Sequence, residues 1–212
     1  MLVVVGGHSR NIGKTSVVAG LIAALPEARW SAVKITQHGH GICSAAGEPC
    51  DCAIEYDHPF AISQEREPTS TDSGRFLAAG AERAYWLRTP VGQLGHAMPE
   101  LRRILETSAN AIFESNSVLN FLRPDLYLSV LDFSVADLKD SARKFLDRAD
   151  AFVVVESGAG MPPWAGVPSR WFFQKPRFDA RPPRYVSGEL AEFVRQAAGK
   201  AASTQVPRTG SD

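Results

Sequence analysis

The strongest constraint on this chain is a glycine-bounded loop set between an apolar strand and an apolar helix. Leu2 to Val5 is the strand run, Gly6-Gly7-His8-Ser9-Arg10-Asn11-Ile12-Gly13-Lys14-Thr15-Ser16 follows it, and Val17-Val18-Ala19-Gly20-Leu21-Ile22 continues as helix. Such a unit wraps backbone N–H groups around an anion and adds the positive end of the helix dipole. In it the lysine, here Lys14, reaches the terminal phosphates, and the hydroxyl, here Thr15, ligates Mg²⁺. The spacing is unusual. A strict G-x-x-x-x-G-K-[ST] loop puts its first glycine at position 8, where this chain has His8, and counting from Gly7 leaves five residues before Gly13. A Gly-Lys-Thr tripeptide alone carries little weight, but after a buried strand and at a helix start it reads as a phosphate-binding loop rather than a chance glycine turn. Gly7, Asn11, Ile12, Gly13, Lys14, Thr15 and Ser16 are the expected nucleotide-binding residues.

With 212 residues the chain can hold one α/β domain with a substantial core. The expected division is a single nucleotide-binding domain over 1–200, with a long Cys/His-containing loop at 36–68, and a disordered tail over 201–212. A formal net charge of zero leaves no electrostatic footprint for nucleic acid or an anionic membrane. No apolar run reaches the length of a membrane span, and the N-terminus lacks the flanks of a signal peptide, so a cytoplasmic protein is expected.

Strand-length apolar runs alternate with helical patterns along the chain. The expected strands are Leu2–Val5, Trp30–Ile35, Arg83–Leu87, Asn110–Phe113, Leu126–Leu131 and Ala151–Val155, with a further short one at Arg170–Phe173. Expected helices run through Val17–Leu25, Ser73–Ala79, Pro99–Ser108, Val135–Arg148 and Gly188–Ala198. The first of the short ones is capped by Thr71 or Asp72 and ended by Gly80. In the Val135–Arg148 helix, Leu138, Ala142, Phe145 and Leu146 share the core face. This order specifies an α/β fold with an open, mostly parallel sheet of about six to seven strands and helices on both faces, a three-layer sandwich.

Ligands in such sheets sit at the carboxyl ends of the strands. That rule selects Lys34, Gln37 and His38 after the second strand, Glu114-Ser115-Asn116 after the fourth, Asp132 after the fifth and Glu156 after the sixth. Glu114 is the best partner for Thr15: a carboxylate there holds Mg²⁺ or polarises an attacking group, the alternative being a cap on the helix-like segment from Ser115 or a solvated strand end. Lys34 either reaches the phosphates or snorkels to the surface. Asp72 is either a third Mg²⁺ ligand or a plain helix cap. Arg75 contacts a phosphate or pairs with Asp72 or Glu82. Lys14, Lys34 and Glu114 are the candidate catalytic residues.

The loop from Gly7 to Thr15, with five residues between its glycines, resembles that of dethiobiotin synthetase and the related amidotransferase-type synthetases. Three further segments are similar to the molybdopterin-guanine dinucleotide biosynthesis protein B family. These are Lys34-Ile35-Thr36-Gln37-His38-Gly39-His40, the helix Asp72-Ser73-Gly74-Arg75-Phe76-Leu77-Ala78-Ala79 with Gly80-Ala81 at its end, and Glu114 closing the fourth strand. The resemblance extends over residues 1–135 and is specific in the loop. It implies a P-loop NTPase of cofactor biosynthesis that binds ATP or GTP with Mg²⁺. Ser115-Asn116 replaces a family glycine, and Ser9 stands in place of the lysine of nitrogenase-type loops. No Asn-Lys-x-Asp guanine signature follows the sixth strand. Glu156-Ser157-Gly158-Ala159-Gly160 stands there instead, with Glu156 as the candidate for the base edge. Trp164, Trp171, Phe172 and Phe173 either stack on a base or pack in the core.

The three cysteines lie within ten residues, which points to reduced thiols or a metal site rather than a disulfide framework. His38, His40, Cys43, Cys50 and Cys52 form the pattern H-x-H-x2-C-x6-C-x-C. Thiolate with imidazole suits Zn²⁺, although the spacing is not a standard zinc pattern and free thiols near a loop histidine are the alternative. Three functions are open at this point: an NTPase or NTP-binding accessory protein of cofactor biosynthesis, an ATP-dependent ligase or kinase, and a nucleotide-gated metal carrier. The expected partners are a nucleotide and a small-molecule substrate or partner enzyme, with no nucleic acid and no membrane. A homodimer is left open.

Overall fold

A computed structural model describes residues 1–38, 58–158, 160–168 and 170–204. The hydrophobic runs form the middle of one sheet. Its strands are β1 (Leu2–Gly7), β2 (Trp30–His38), β3 (Ala61–Gln64), β4 (Arg83–Pro90), β5 (Asn110–Glu114), β6 (Leu126–Asp132), β7 (Ala151–Val155) and β8 (Arg177–Ala180). They lie in the order β3-β4-β2-β5-β1-β6-β7-β8. Every pairing is parallel except β3 with β4. β1 and β7 are buried along their whole lengths, as strands covered on both faces must be.

Alternation along β1 sends Val3 and Val5 to one face and Leu2 and Val4 to the other. The first face is covered by α1 (Lys14–Ala24), α2 (Asp72–Ala78) and α6 (Gly188–Thr204), through Val17, Leu21, Phe76, Leu190 and Val194. The second is covered by α3 (Met98–Glu106), a short α4 (Asp140–Arg143) with the 3₁₀ turn after it, and a short α5 (Trp171–Gln174). Leu101, Ile104, Phe145, Leu146 and Phe172 pack there. The result is the expected α/β sandwich with its polar strand ends gathered along one rim. No helix among the described residues is long and apolar enough to cross a membrane.

Four local expectations are corrected. Among the described residues the sheet has eight strands, where about six to seven were expected, because Ala61–Gln64, inside the segment read as loop, adds antiparallel to β4 at the edge. The last strand is Arg177–Ala180, whereas Arg170–Phe173 enters the turn of α5: Trp171 N–H bonds to Pro168 O, and Phe172 is buried while Phe173 is 69% exposed. The helix expected over Val135–Arg148 is reduced to Asp140–Arg143 and a 3₁₀ turn at Leu146–Arg148. Asp137 and Lys139 instead bond to the loop after β1, although Ala142, Phe145 and Leu146 still face the core. Finally, α6 continues to Thr204, past the expected end at Ala198.

Candidate nucleotide site at the loop after β1

The loop is held from below by its own apolar residue and from the sides by two other strand ends. Ile12 is 3% exposed and roots the loop in the core. Asn11 (φ 56°) and Gly13 (φ 92°) take left-handed conformations that turn the chain into α1. Asn116, just past β5, grips the Gly7 peptide twice: Gly7 N–H donates to Asn116 Oδ1 at 2.9 Å, and Asn116 Nδ2 donates to Gly7 O at 2.8 Å. A Cβ on Gly6 would stand 2.1 Å from that Oδ1, so only glycine permits this approach.

On the other side the loop is tied to the segment after β6. Asp132 N–H donates to His8 Nε2 at 3.0 Å, which puts the ring proton on Nδ1, where it donates to Asp137 O at 2.7 Å. His8 is fully buried, its ring 4.4 Å from Trp164, and burial lowers its pKa. Ser9 Oγ donates to the Asp137 carboxylate, and Lys139 N–H to His8 O at 3.0 Å. His8, which interrupts the usual glycine spacing, is thus the residue that docks the loop onto the crossover.

Lys14 begins α1, and its ammonium turns back to donate to Ser9 O across the loop. Burial depresses its pKa to about 8; Glu114 opposes that shift, while Lys34 and Lys139 add to it. Beside it the parallel register sets Lys34 of β2 directly against Glu114 of β5. Lys34 Nζ lies 2.5 Å from Glu114 Oε1, 2.7 Å from Asp72 Oδ2 and 3.3 Å from Thr15 Oγ1. Thr15 Oγ1 donates to Glu114 Oε2 at 2.8 Å, and Arg75 donates to Ser16 Oγ at 3.0 Å. Burial works against the Lys34 charge, but Glu114 and Asp72 outweigh it and hold the pKa above that of an ordinary lysine. Burial likewise resists ionisation of Asp72, and hydrogen bonds from Lys34 and Thr15 overcome it, holding its pKa low.

Thr15, Asp72 and Glu114, proposed from sequence as the Mg²⁺ ligands, therefore converge on one point. Two carboxylates and a hydroxyl are hard oxygen donors of the kind Mg²⁺ selects, and the Lys34 ammonium stands among them as a cation in the same donor set. Among the described residues no group of three or more His, Cys, Asp or Glu is placed to share a metal ion. The zinc expectation at His40, Cys43, Cys50 and Cys52 lies outside the described residues. His38 ends β2, half-buried, and its Nδ1 has no hydrogen-bond partner among the described residues.

A cavity of about 1040 Å³ opens over this cluster. It is lined by Gly7, the loop from Ser9 to Ser16 except Ile12, and Lys34, Asp72, Arg75, Glu114 and Asn116, so the residues expected at the phosphates and Mg²⁺, apart from Ile12, meet in one place. Glu156 does not join them. It follows β7 and pairs with Arg181 at 2.8 Å, away from the cavity wall. Trp164 and Phe172 pack in the core. Asn116 is selected from sequence only as a polar residue past a strand, and two contributors escape a sequence reading. Lys139 is hidden inside an apparent helix. Tyr185 lines the cavity from the β8–α6 connection, where its ring lies so close that a Cβ on Gly13 would meet Cε1 at 2.3 Å.

The central parallel sheet, the glycine loop from β1 into α1, and the lysine and hydroxyl at the helix start define a P-loop NTPase fold. No protein-family model matches the chain, and no curated protein matches it. Among solved structures it is similar to HypB from Helicobacter pylori in complex with nickel, with a TM-score of 0.48 and 14% identity, over 99% of this chain and 91% of that one. It is also similar to LpxK from Aquifex aeolicus in complex with ATP, with a TM-score of 0.48 and 18% identity over 84% of this chain. That match covers 53% of the LpxK chain, so the protein spans about half its length.

Proposed function

We propose that the protein binds a Mg²⁺-nucleoside triphosphate and hydrolyses it, as an accessory NTPase of cofactor biosynthesis like the molybdopterin-guanine dinucleotide biosynthesis protein B family that its motifs resemble. The observation that carries this reading is the junction of Thr15, Lys34, Asp72 and Glu114 at the first turn of α1, beside Lys14. The loop N–H groups and Lys14 are placed for the phosphate chain, and Ser16 for the phosphate nearest the helix. Thr15, Asp72 and Glu114 would hold Mg²⁺, which supplies charge neutralisation on the terminal phosphates. Lys34 stays protonated through its pairing and brings a second cation to the terminal phosphoryl group. Glu114, buried and aimed at the cavity, orients the attacking group.

Calorimetry with ATP, GTP and CTP, each with and without Mg²⁺, tests the reading and names the base. Binding is expected to need Mg²⁺ for full affinity and to be lost in Lys14→Ala with the fold intact. Unchanged affinity in that variant rules the reading out. One observation favours a second reading, a ligase or kinase of the dethiobiotin synthetase type. The cavity continues past the loop to Ser117 and to the segment from Lys139 to Ser141, which leaves room for an acceptor.

A further inference from the structure

Most cations around the cavity already have partners. Lys14 is on the Ser9 carbonyl, Lys34 on Glu114 and Asp72, and Arg75 on Ser16. Arg10 at the loop tip and Lys139 ahead of α4 are different. Both line the cavity, and neither forms a side-chain hydrogen bond or an ion pair with another described residue. They stand close enough to repel each other: burial lowers the Lys139 pKa, the Arg10 charge lowers it further, and Asp137 opposes the shift.

Topology separates the pair from the metal-ligand cluster. β2 and β6 flank the adjoining strands β5 and β1 on opposite sides. Lys34 comes from β2, whereas Lys139 follows β6 and is anchored to the loop through its own N–H on His8 O. On the β2 side two carboxylates take up the Lys34 ammonium. On the β6 side Arg10 and Lys139 line the cavity together with the hydroxyl of Ser141 and the carboxylates of Asp137 and Asp140, of which Asp137 accepts from Ser9 Oγ. A guanidinium and an ammonium that form no ion pair with those carboxylates are free to receive carboxylate or phosphate oxygens.

We infer that Arg10 and Lys139 form the site for the oxyanion, carboxylate or phosphate, of a second substrate that accepts the terminal phosphoryl group. This rests on the nucleotide reading above and favours its ligase or kinase form. An acceptor oxygen forms a bond to the terminal phosphorus, the bridging P–O bond breaks, and its electron pair leaves on the nucleoside diphosphate. A carboxylate or phosphate oxygen attacks in its ionised form, so no proton has to be removed.

The test uses the full chain saturated with the Mg²⁺ complex of a non-hydrolysable triphosphate, AMP-PNP or GMP-PNP, which fills the terminal phosphate position. Inorganic phosphate and succinate are then titrated in separate arms, which tell a phosphate acceptor from a carboxylate one. At least one is expected to bind the loaded wild type. Arg10→Gln and Lys139→Gln should each weaken that binding by about tenfold or more, as the loss of a hydrogen bond between charged groups does, and change triphosphate affinity far less. Failure of both oxyanions to bind the loaded wild type overturns the inference while leaving the nucleotide reading standing. So does an equal loss of triphosphate affinity in the variants, which assigns the two cations to the nucleotide. If the wild type binds neither triphosphate, both readings fall.

Discussion

Lys34 is the residue on which most of the site's charge balance depends. Its side chain is 16% exposed and its partner Glu114 only 2%, while Asp72 at 48% is well solvated, so the pair with Glu114 is the energetic one. Removing one member of a buried pair strands the other, at about 3–5 kcal/mol. Lys34→Met should therefore lower thermal stability measurably. The same variant should gain stability from Mg²⁺ or Mn²⁺ without nucleotide, because a divalent cation then meets Thr15, Asp72 and Glu114 without a competing ammonium. The wild type should gain little under those conditions. Melting curves of both proteins with and without the metal decide this, and equal metal responses would show that Lys34 does not share the donor set with the ion.

Between elements, the decisive contact is the clamp of Asn116 on the end of β1. Its two hydrogen bonds join the strand that ends in the phosphate loop to the strand that ends in Glu114, so the loop and the acidic group move as one piece. Asn116→Ala should cost about 1–3 kcal/mol, since the Gly7 peptide loses its partners, and should weaken nucleotide binding as well. Gly6→Ala should destabilise through the 2.1 Å approach to Asn116 Oδ1 and a 2.9 Å approach to Tyr127. The double variant should be more stable than the two single losses added together, because the nearest clashing atom is gone. Urea denaturation of the four proteins measures that coupling, and strict additivity would show that the two residues do not meet as described.

At the scale of the molecule, His8 makes the loop's docking sensitive to pH. An unfolded chain protonates this imidazole near its ordinary value of 6.5, whereas burial holds the folded value lower. Below 6.5 the unfolded state binds more protons, so this contribution to stability is fully present above that pH and is lost as the pH falls. The protonated ring would also set a second N–H against Asp132 N–H. The melting temperature of the wild type should therefore drop more between about pH 7.5 and pH 5.5 than that of His8→Gln, which has no group titrating there. A parallel fall in both proteins would remove His8 from the explanation. Mg²⁺-nucleotide at about a hundred times its Kd should add roughly 5–10 °C to the wild type and nothing to Lys14→Ala.

Much of this architecture was legible in local pattern. Strand and helix periodicities, the glycine loop with Lys14 and Thr15, and polar residues at strand ends, among them Lys34 and Glu114, are properties of neighbouring residues, and the hydrogen-bond geometry of each element makes them readable one segment at a time. What local pattern could not settle is which strand ends meet. The order β2-β5-β1-β6, which sets Lys34 against Glu114 and Asn116 against Gly7, comes from packing between segments far apart in the chain. The same holds where residues 134–139 abandon an amphipathic pattern to bond the loop through His8, bringing Lys139 to the cavity, and where Tyr185 arrives from the far side of β8. The sequence by itself determined an α/β chain with a phosphate loop at its first turn. The tertiary structure decided what stands around that loop, because burial and pairing over long separations override the preferences of any single segment.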